Sequence, residues 1–309
     1  MAHPDRAIRE RGPLLLDGGM GQELAARGVD TKDGLWSAPT LLEDPEAVLG
    51  VHRDYAAAGA DILTTNSYAA TRRRFAQHGM QDAFERANQT AGELARQAAT
   101  DAATASGRPV LVAGSLPPLH GSYRPDRVRP VDELVPRYRE QAELLAEFAD
   151  LILCETMSTA AEALAAARGG AATGLPVWVS WTVADDGTGR LRSGESIREA
   201  LDTLDGVGVE VVLVNCSMPG SIRAAMPELS THAARPFGAY ANGFSAIHGD
   251  FDVADGANIP SPRAELTPAR YAAHARAWLD AGASVVGGCC EVGPAHIARL
   301  RRRLDGAGG

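Results

Sequence analysis

A chain of 309 residues, 45% hydrophobic and 22% charged, has the composition of a folded globular protein, long enough for one large α/β barrel or two ordinary domains. Its formal net charge of −9, with acidic and basic residues interspersed, argues against a nucleic-acid partner. Four cysteines, two of them adjacent, make no disulfide framework; with no apolar signal segment over residues 1–11 and no run of about 18 apolar residues, the expectation is a cytoplasmic protein without a membrane partner.

Residues 1–12 read as an N-terminal tail and 13–309 as one domain. The first strand is Leu14-Leu15-Leu16, ending at Asp17-Gly18-Gly19. A helix is expected from about Pro45 to Gly59, with Asp44 as N-cap and Pro45 in the first helical position. The second strand, Ile62 to Thr65, precedes a long helical region from about Ala69 to Ala105. Val110 to Ala113 is the third, followed by a Pro- and Gly-rich loop and a helix near 131–149. Leu151 to Cys154 is the fourth, followed by an alanine-rich helix near 159–172.

The second half repeats the rhythm. Strands are expected at Val177–Trp181, Val209–Asn215, Phe237–Tyr240 and Ser284–Gly287, with helices near 196–204, 221–232, 268–282 and 294–304. Eight buried strands, each followed by a helix, predict a single (β/α)8 TIM barrel with a long loop after strand 7. A doubly wound open sheet fits less well, because Gly18-Gly19-Met20-Gly21 lacks the Gly-x-Gly-x-x-Gly spacing. The loop from Gly243 to Leu266 reads either as a lid or as an ordered excursion.

Barrel enzymes carry their chemistry at the carboxyl ends of the strands. Polar residues fall there in this chain: Asp17, Asn66-Ser67-Tyr68, Ser115, Glu155, Asn215-Cys216, Asn242 and Cys289-Cys290. Such residues directly after apolar runs are poor core residues unless hydrogen-bonded or functional, although Ser115 and Asn242 also suit caps and loops. Three thiols from strand ends, Cys216, Cys289 and Cys290, fit a zinc site whose fourth position stays open; small cysteines packed beside glycine are the alternative. Gly287 and Gly288 are expected to let the backbone bend so that adjacent thiols reach one point. Cys154 should face the helix layer. His120, His248 and His296 read as loop histidines, exposed or structural.

The motifs Asp17-Gly18-Gly19, Thr65-Asn66-Ser67-Tyr68, Cys154-Glu155-Thr156, Asn215-Cys216 and Gly287-Gly288-Cys289-Cys290 together resemble the homocysteine S-methyltransferase family, in the family's order and from about Leu14 to Leu304. The resemblance implies a zinc-dependent barrel that moves a methyl group onto homocysteine to make methionine. It implies one Zn²⁺ per chain on Cys216, Cys289 and Cys290. It also implies that Asp17 and Glu155 hold the amino group of homocysteine, with backbone near Gly18 and Ser67 meeting its carboxylate and Asn215 completing the substrate site. Leu35-Trp36-Ser37-Ala38 is similar to the branch using S-methylmethionine or S-adenosylmethionine, with betaine donors and selenohomocysteine as alternatives.

The residues suit that chemistry. A free thiol is mostly protonated at neutral pH, and only the thiolate attacks. A sulfur held by zinc loses its proton, so the transfer needs no catalytic residue beyond the activated substrate thiolate. A cationic donor suits an anionic tris-thiolate centre, and Trp36 and Tyr68 are the aromatic candidates to face it. A zinc hydrolase is disfavoured because no histidine stands beside these motifs, and a closed structural zinc would need a fourth ligand.

Overall fold

The computed structural model describes residues 4–29, 35–247 and 261–306. Eight strands run parallel: β1 (Leu14–Leu15), β2 (Ile62–Thr64), β3 (Leu111–Leu116), β4 (Leu151–Met157), β5 (Val177–Trp181), β6 (Val209–Asn215), β7 (Phe237–Ala241) and β8 (Val285–Gly288). Their order is β1-β8-β7-β6-β5-β4-β3-β2. The ring closes where Leu16 bridges Ile62 and where Asp61 N–H donates to Leu15 O (2.7 Å). This is the (β/α)8 barrel that the alternating pattern predicts.

Side chains alternate across the strands, and the apolar residues sort accordingly. Leu14, Leu16, Ile62, Leu111, Leu153, Trp178, Leu213 and Val285 fill the barrel. Leu15, Leu63, Val112, Ile152, Cys154, Val179 and Val286 pack outward in the strand–helix layer. Cys154 thus lies where strand parity puts it.

The helices are α1 (Pro4–Arg11), α2 (Met20–Ala26), α3 (Thr40–Glu43), α4 (Pro45–Ala57), α5 (Arg72–Gln77), α6 (Phe84–Ser106), α7 (Val131–Ala146), α8 (Ala160–Ala171), α9 (Ile197–Asp202), α10 (Pro219–His232), α11 (Pro268–Asp280) and α12 (Pro294–Leu304). Asp44 caps α4 as expected, accepting from Ala47 N–H with Pro45 in the first turn. The helical region expected from 69 to 105 is broken: Gly79 turns left-handed (φ +70°) after α5, and a 3₁₀ turn leads into α6. The segment read as a tail carries α1, whose Ala7 packs into the barrel interior with Ile8 beside it.

The two rims of the barrel differ. At the amino-terminal rim, buried Asp61 accepts from Leu15 N–H (2.9 Å) and pairs with Arg301, Arg108 (3.4 Å) and Arg11 (3.8 Å). Asp150 accepts from Val112 N–H (2.8 Å) and pairs with Arg96 (2.7 Å). Beyond β7, an antiparallel bridge joins Phe244 to Pro262, and Gly243 N–H donates to Cys290 O (2.8 Å). The lid reading and His248 fall largely on residues 248–260, outside the described residues. No helix among the described residues is long and apolar enough to cross a membrane.

Candidate active site

Cys216 follows β6 directly, in a left-handed backbone conformation (φ 48°) that only a tightly fixed non-glycine residue holds. Cys289 and Cys290 follow β8, fixed by the Cys289 N–H bond to Ala241 O (2.9 Å). Neither glycine ahead of them has positive φ, and their lack of a side chain serves close packing. A Cβ on Gly287 would lie 2.5 Å from Leu16 Cβ, and one on Gly288 would lie 2.2 Å from Val292 Cγ1.

The three sulfurs converge. Cys216 Sγ lies 2.9 Å from Cys289 Sγ and 3.8 Å from Cys290 Sγ, and the last pair is 4.0 Å apart. A tetrahedral zinc with bonds of about 2.3 Å to sulfur needs sulfur–sulfur edges of about 3.8 Å. Two edges have that length, and the 2.9 Å edge is the one that must lengthen. It is still too long for a disulfide, whose S–S bond is about 2.05 Å. The donor set therefore fits a thiophilic metal with one position left for a further ligand. Cys216 is held well below the ordinary thiol range by hydrogen bonds from Cys289 and Cys290, then Tyr123 and Asn242, against its burial. The Tyr123 hydroxyl is 2.9 Å from Cys216 Sγ. Burial first, and charge on Cys216 second, push the Tyr123 phenol well above its usual range, so it keeps its proton and donates.

Across the mouth stand two buried carboxyls. Asp17 accepts from Thr64 N–H and Thr64 Oγ1, each at 2.8 Å. Burial pushes it up to about 7, against the Thr64 hydrogen bonds, and the neighbouring Glu155 charge adds to the rise. Glu155 accepts from Ser115 Oγ (2.5 Å) and Tyr240 OH (3.0 Å), and burial pushes it up to about 7 as well. No ion pair to either carboxyl is found among the described residues.

One cavity at this mouth is lined by Asp17, Gly18, Trp36, Tyr68, Glu155, Cys216, Cys289 and Cys290, together with Met20, Gln22, Thr64, Arg74, Tyr123, Thr156, Tyr240 and Phe244. Gly18 must be glycine because a Cβ there would meet Val292 O at 1.9 Å. Trp36 packs onto Gly21, where a Cβ would lie 1.8 Å from the indole Nε1. The Tyr68 hydroxyl shares a hydrogen bond with Ser122 Oγ (2.7 Å).

Two of the expected site residues stand behind this wall. Ser67 is fully buried, its hydroxyl donating to Ser115 O (2.8 Å) and its carbonyl accepting from Gln141 Nε2 (3.1 Å). Asn215 accepts from Thr156 N–H (2.9 Å) and Ser180 Oγ (2.8 Å) and donates to Thr156 Oγ1 (2.9 Å). With its amide so engaged, Asn215 fixes Thr156 in its left-handed conformation (φ 63°) beside Glu155. No histidine is among the described lining residues. His120 lies in a separate cleft with Arg73 and Arg137, and His296, read as a loop residue, lies in the first turn of α12 with its Nε2 3.1 Å from Leu266 O.

The reading of the sequence misses Tyr123 and Tyr240 and takes Ser115 for a cap or loop residue as readily as a site residue. Inward parity on β7 is a signal that finds Tyr240. Nothing local marks Tyr123, which reaches Cys216 from 93 residues away.

The family model for homocysteine S-methyltransferase matches residues 14–304. A homocysteine S-methyltransferase of Escherichia coli is 35% identical, the match covering 97% of this chain and 98% of that one. A selenocysteine Se-methyltransferase of Brassica oleracea is 30% identical over 95% of this chain and 89% of its own length. The crystal structure of the homocysteine methyltransferase MmuM from E. coli in its metallated form superposes with a TM-score of 0.83 at 32% identity, covering 97% of this chain and all of that one.

Proposed function

The chain belongs to the homocysteine S-methyltransferase family, and from that premise we propose that it uses a zinc ion on Cys216, Cys289 and Cys290 to transfer a methyl group from a small sulfonium to homocysteine, giving methionine. It is a methyltransferase enzyme by membership, so the metal, the donor and the residue roles are the substance of the proposal. The observation that carries it is the convergence of three thiols within 4.8 Å of one another beside two buried carboxyls for which no ion pair is found among the described residues.

What zinc supplies on three sulfurs is a fourth position where a substrate thiol is held as its thiolate. The protein's side chains do the rest. Asp17 and Glu155 take the ammonium of homocysteine, whose charge answers theirs; Thr64, Ser115 and Tyr240 hold the two carboxylates in place. Gly18, and more remotely the backbone around Ser67, face the substrate carboxylate. Asn215 acts on substrate through Thr156. The homocysteine sulfur attacks the methyl carbon in line, the sulfonium carbon–sulfur bond breaks, and a neutral thioether leaves without acid assistance. Trp36 and Tyr68 line the side from which the donor cation approaches, where a cation–π contact contributes about 0.5–2 kcal/mol. S-methylmethionine is the expected donor and S-adenosylmethionine the weaker one.

Metal analysis of protein purified under reducing conditions tests the centre. Close to one zinc per chain is expected, lost together with activity in Cys216→Ala, Cys289→Ala and Cys290→Ala and kept in Cys154→Ala. Full zinc occupancy in Cys216→Ala would refute the ligand assignment. The donor is tested by supplying homocysteine with S-methylmethionine, S-adenosylmethionine, betaine or methyl-tetrahydrofolate separately. Turnover with betaine or the folate, and none with either sulfonium, would overturn the donor and leave the thiolate centre standing. Selenohomocysteine is the second acceptor for the same assay, and the Brassica relative named for a selenocysteine reaction adds selenocysteine as a third.

A further inference from the structure

A donor able to methylate homocysteine can methylate any thiolate beside it, and the site holds three of its own. The structure treats one of them differently. Cys216 is nearly fully buried, and the Tyr123 hydroxyl lies 2.9 Å from its sulfur, with Asn242 Nδ2 farther off at 4.0 Å. The hydrogen bonds found for the Cys289 and Cys290 sulfurs among the described residues run only to the other thiols.

Much of the upper rim is committed to that one hydroxyl. Tyr123 holds a left-handed backbone conformation (φ 64°), which costs a bulky residue free energy. The Arg192 guanidinium sits 4.7 Å from its ring centroid. The Arg192 side chain is buried, paired with Asp185 (3.0 Å) and donating to Thr182 Oγ1 (3.1 Å) and Ile247 O (3.0 Å). Asp185 accepts in turn from Met218 N–H (2.9 Å) and Ile247 N–H (3.0 Å). Segments following β3, β5, β6 and β7 are thereby tied together behind the Tyr123 O–H···S contact. Ordinary packing needs no such convergence, and a buried ion pair is retained only where its geometry is held by further hydrogen bonds.

We propose that Tyr123 is a positioning residue that protects Cys216 from methylation, so that the substrate sulfur takes the methyl group. The suppressed reaction balances without any further reagent. A Cys216 Sγ lone pair forms a bond to the methyl carbon, and the sulfonium carbon–sulfur bond breaks. Its electron pair leaves with the neutral thioether, and Cys216 becomes an uncharged S-methylcysteine. A hydrogen bond to the thiolate withdraws the lone-pair charge that this attack requires, and Arg192 holds the ring that delivers it. The inference rests on the reading of the triad as a zinc–thiolate centre.

The test compares wild type with Tyr123→Phe, which keeps the ring beneath Arg192 and removes only the hydroxyl. Both proteins, saturated with zinc and without homocysteine, are treated with iodomethane and, separately, with S-methylmethionine; methylation of the Cys216 peptide is followed by mass spectrometry, with zinc content measured in parallel. Cys216 should be methylated about tenfold faster or more in Tyr123→Phe, the scale of one hydrogen bond to a charged group. Arg192→Lys keeps the pair with Asp185 but loses the planar stack, and should give a smaller increase. Equal Cys216 rates in zinc-replete wild type and both variants would overturn the inference alone. A wild type that holds no zinc would overturn the centre and this inference together. Discrimination by iodomethane with no reaction from S-methylmethionine would support the inference and count against the donor.

Discussion

Asp61 and Glu155 are buried to nearly the same degree, 3% and 7% exposed, at opposite rims of one barrel. At the amino-terminal rim Asp61 has three arginines around it, and Asp150 nearby has Arg96. At the carboxyl-terminal rim Glu155 and Asp17 have hydroxyls and a backbone N–H instead. The lower pairs are electrostatically complete without any ligand, and the Asp61 cluster closes the ring between β1 and β2. The upper carboxyls sit in equally dry surroundings with no ion pair among the described residues, and burial raises both to about 7. One rim spends its buried charge on stability, while the other leaves it available for the ammonium that the proposed function assigns to it.

Cutting the lower rim should give the largest effect. Asp61→Ala leaves Arg301, Arg108 and Arg11 without their shared carboxylate and Leu15 N–H without an acceptor. Removing one partner of a buried pair costs about 3–5 kcal/mol, and the low end is expected because the arginines keep some contact with water. Urea unfolding should therefore show a loss of about 3 kcal/mol, with homocysteine affinity unchanged in the folded fraction. A normal unfolding midpoint would show that the ring closes without this cluster.

Cutting the upper rim should invert the pattern. Glu155→Gln keeps the shape, still meets Ser115 and Tyr240, and removes the charge proposed to face the ammonium. Homocysteine affinity should fall roughly ten- to hundredfold, the value of a charged hydrogen bond, while stability holds or rises and zinc stays bound. Unchanged affinity by calorimetry would make Glu155 a structural residue like those of the lower rim.

How far the sequence foretells this contrast depends on distance along the chain. The eight strands are legible because each is an apolar run closed by a polar residue, and those closing residues include Asp17, Glu155 and Cys216. The broken helix before α6 is not, because Gly79 lies in a stretch whose helical pattern continues on either side. α1 and α2 are missed because both are short, and α2 starts directly on the Gly-rich turn after β1. The partners of the site residues are hidden for another reason. Ser115 reaches Glu155 across two neighbouring strands, Tyr240 reaches it from β7, and Tyr123 arrives from an irregular loop. Closure of the ring creates these contacts, and no local period encodes it.

A pH series tests the same contrast more gently. Asp17 and Glu155 lie at about 7 in the fold against ordinary values of 3.8 and 4.5. A carboxyl raised by folding stabilises the fold below its unfolded value, and that contribution is lost as pH rises through the folded one. Substrate-free protein should thus lose stability from about pH 4 to about pH 7 through these two groups. The ammonium needs them ionised, so homocysteine affinity should climb over the upper part of that window, by roughly tenfold between pH 6 and pH 8. Affinity that is flat with pH would mean that neither carboxyl meets the substrate's charge.

Glu162 supplies the control that separates burial from function. It too is nearly inaccessible, and burial raises it to about 7, opposed by the hydrogen bond from Ser158 N–H (2.9 Å). Yet it lies in the first turn of α8, away from the cavity, where a helix amino terminus favours an acceptor of either charge state. Glu162→Gln retains a carbonyl oxygen for Ser158 N–H and gives up an ionisation that burial already disfavours. The two changes oppose each other, so the shift in stability should stay within about 0.5 kcal/mol, with homocysteine affinity within twofold of wild type. A loss of affinity as large as that of Glu155→Gln would mean that raised carboxyls anywhere near this rim tune the site through the general field, and the assignment of the ammonium to Asp17 and Glu155 would fall.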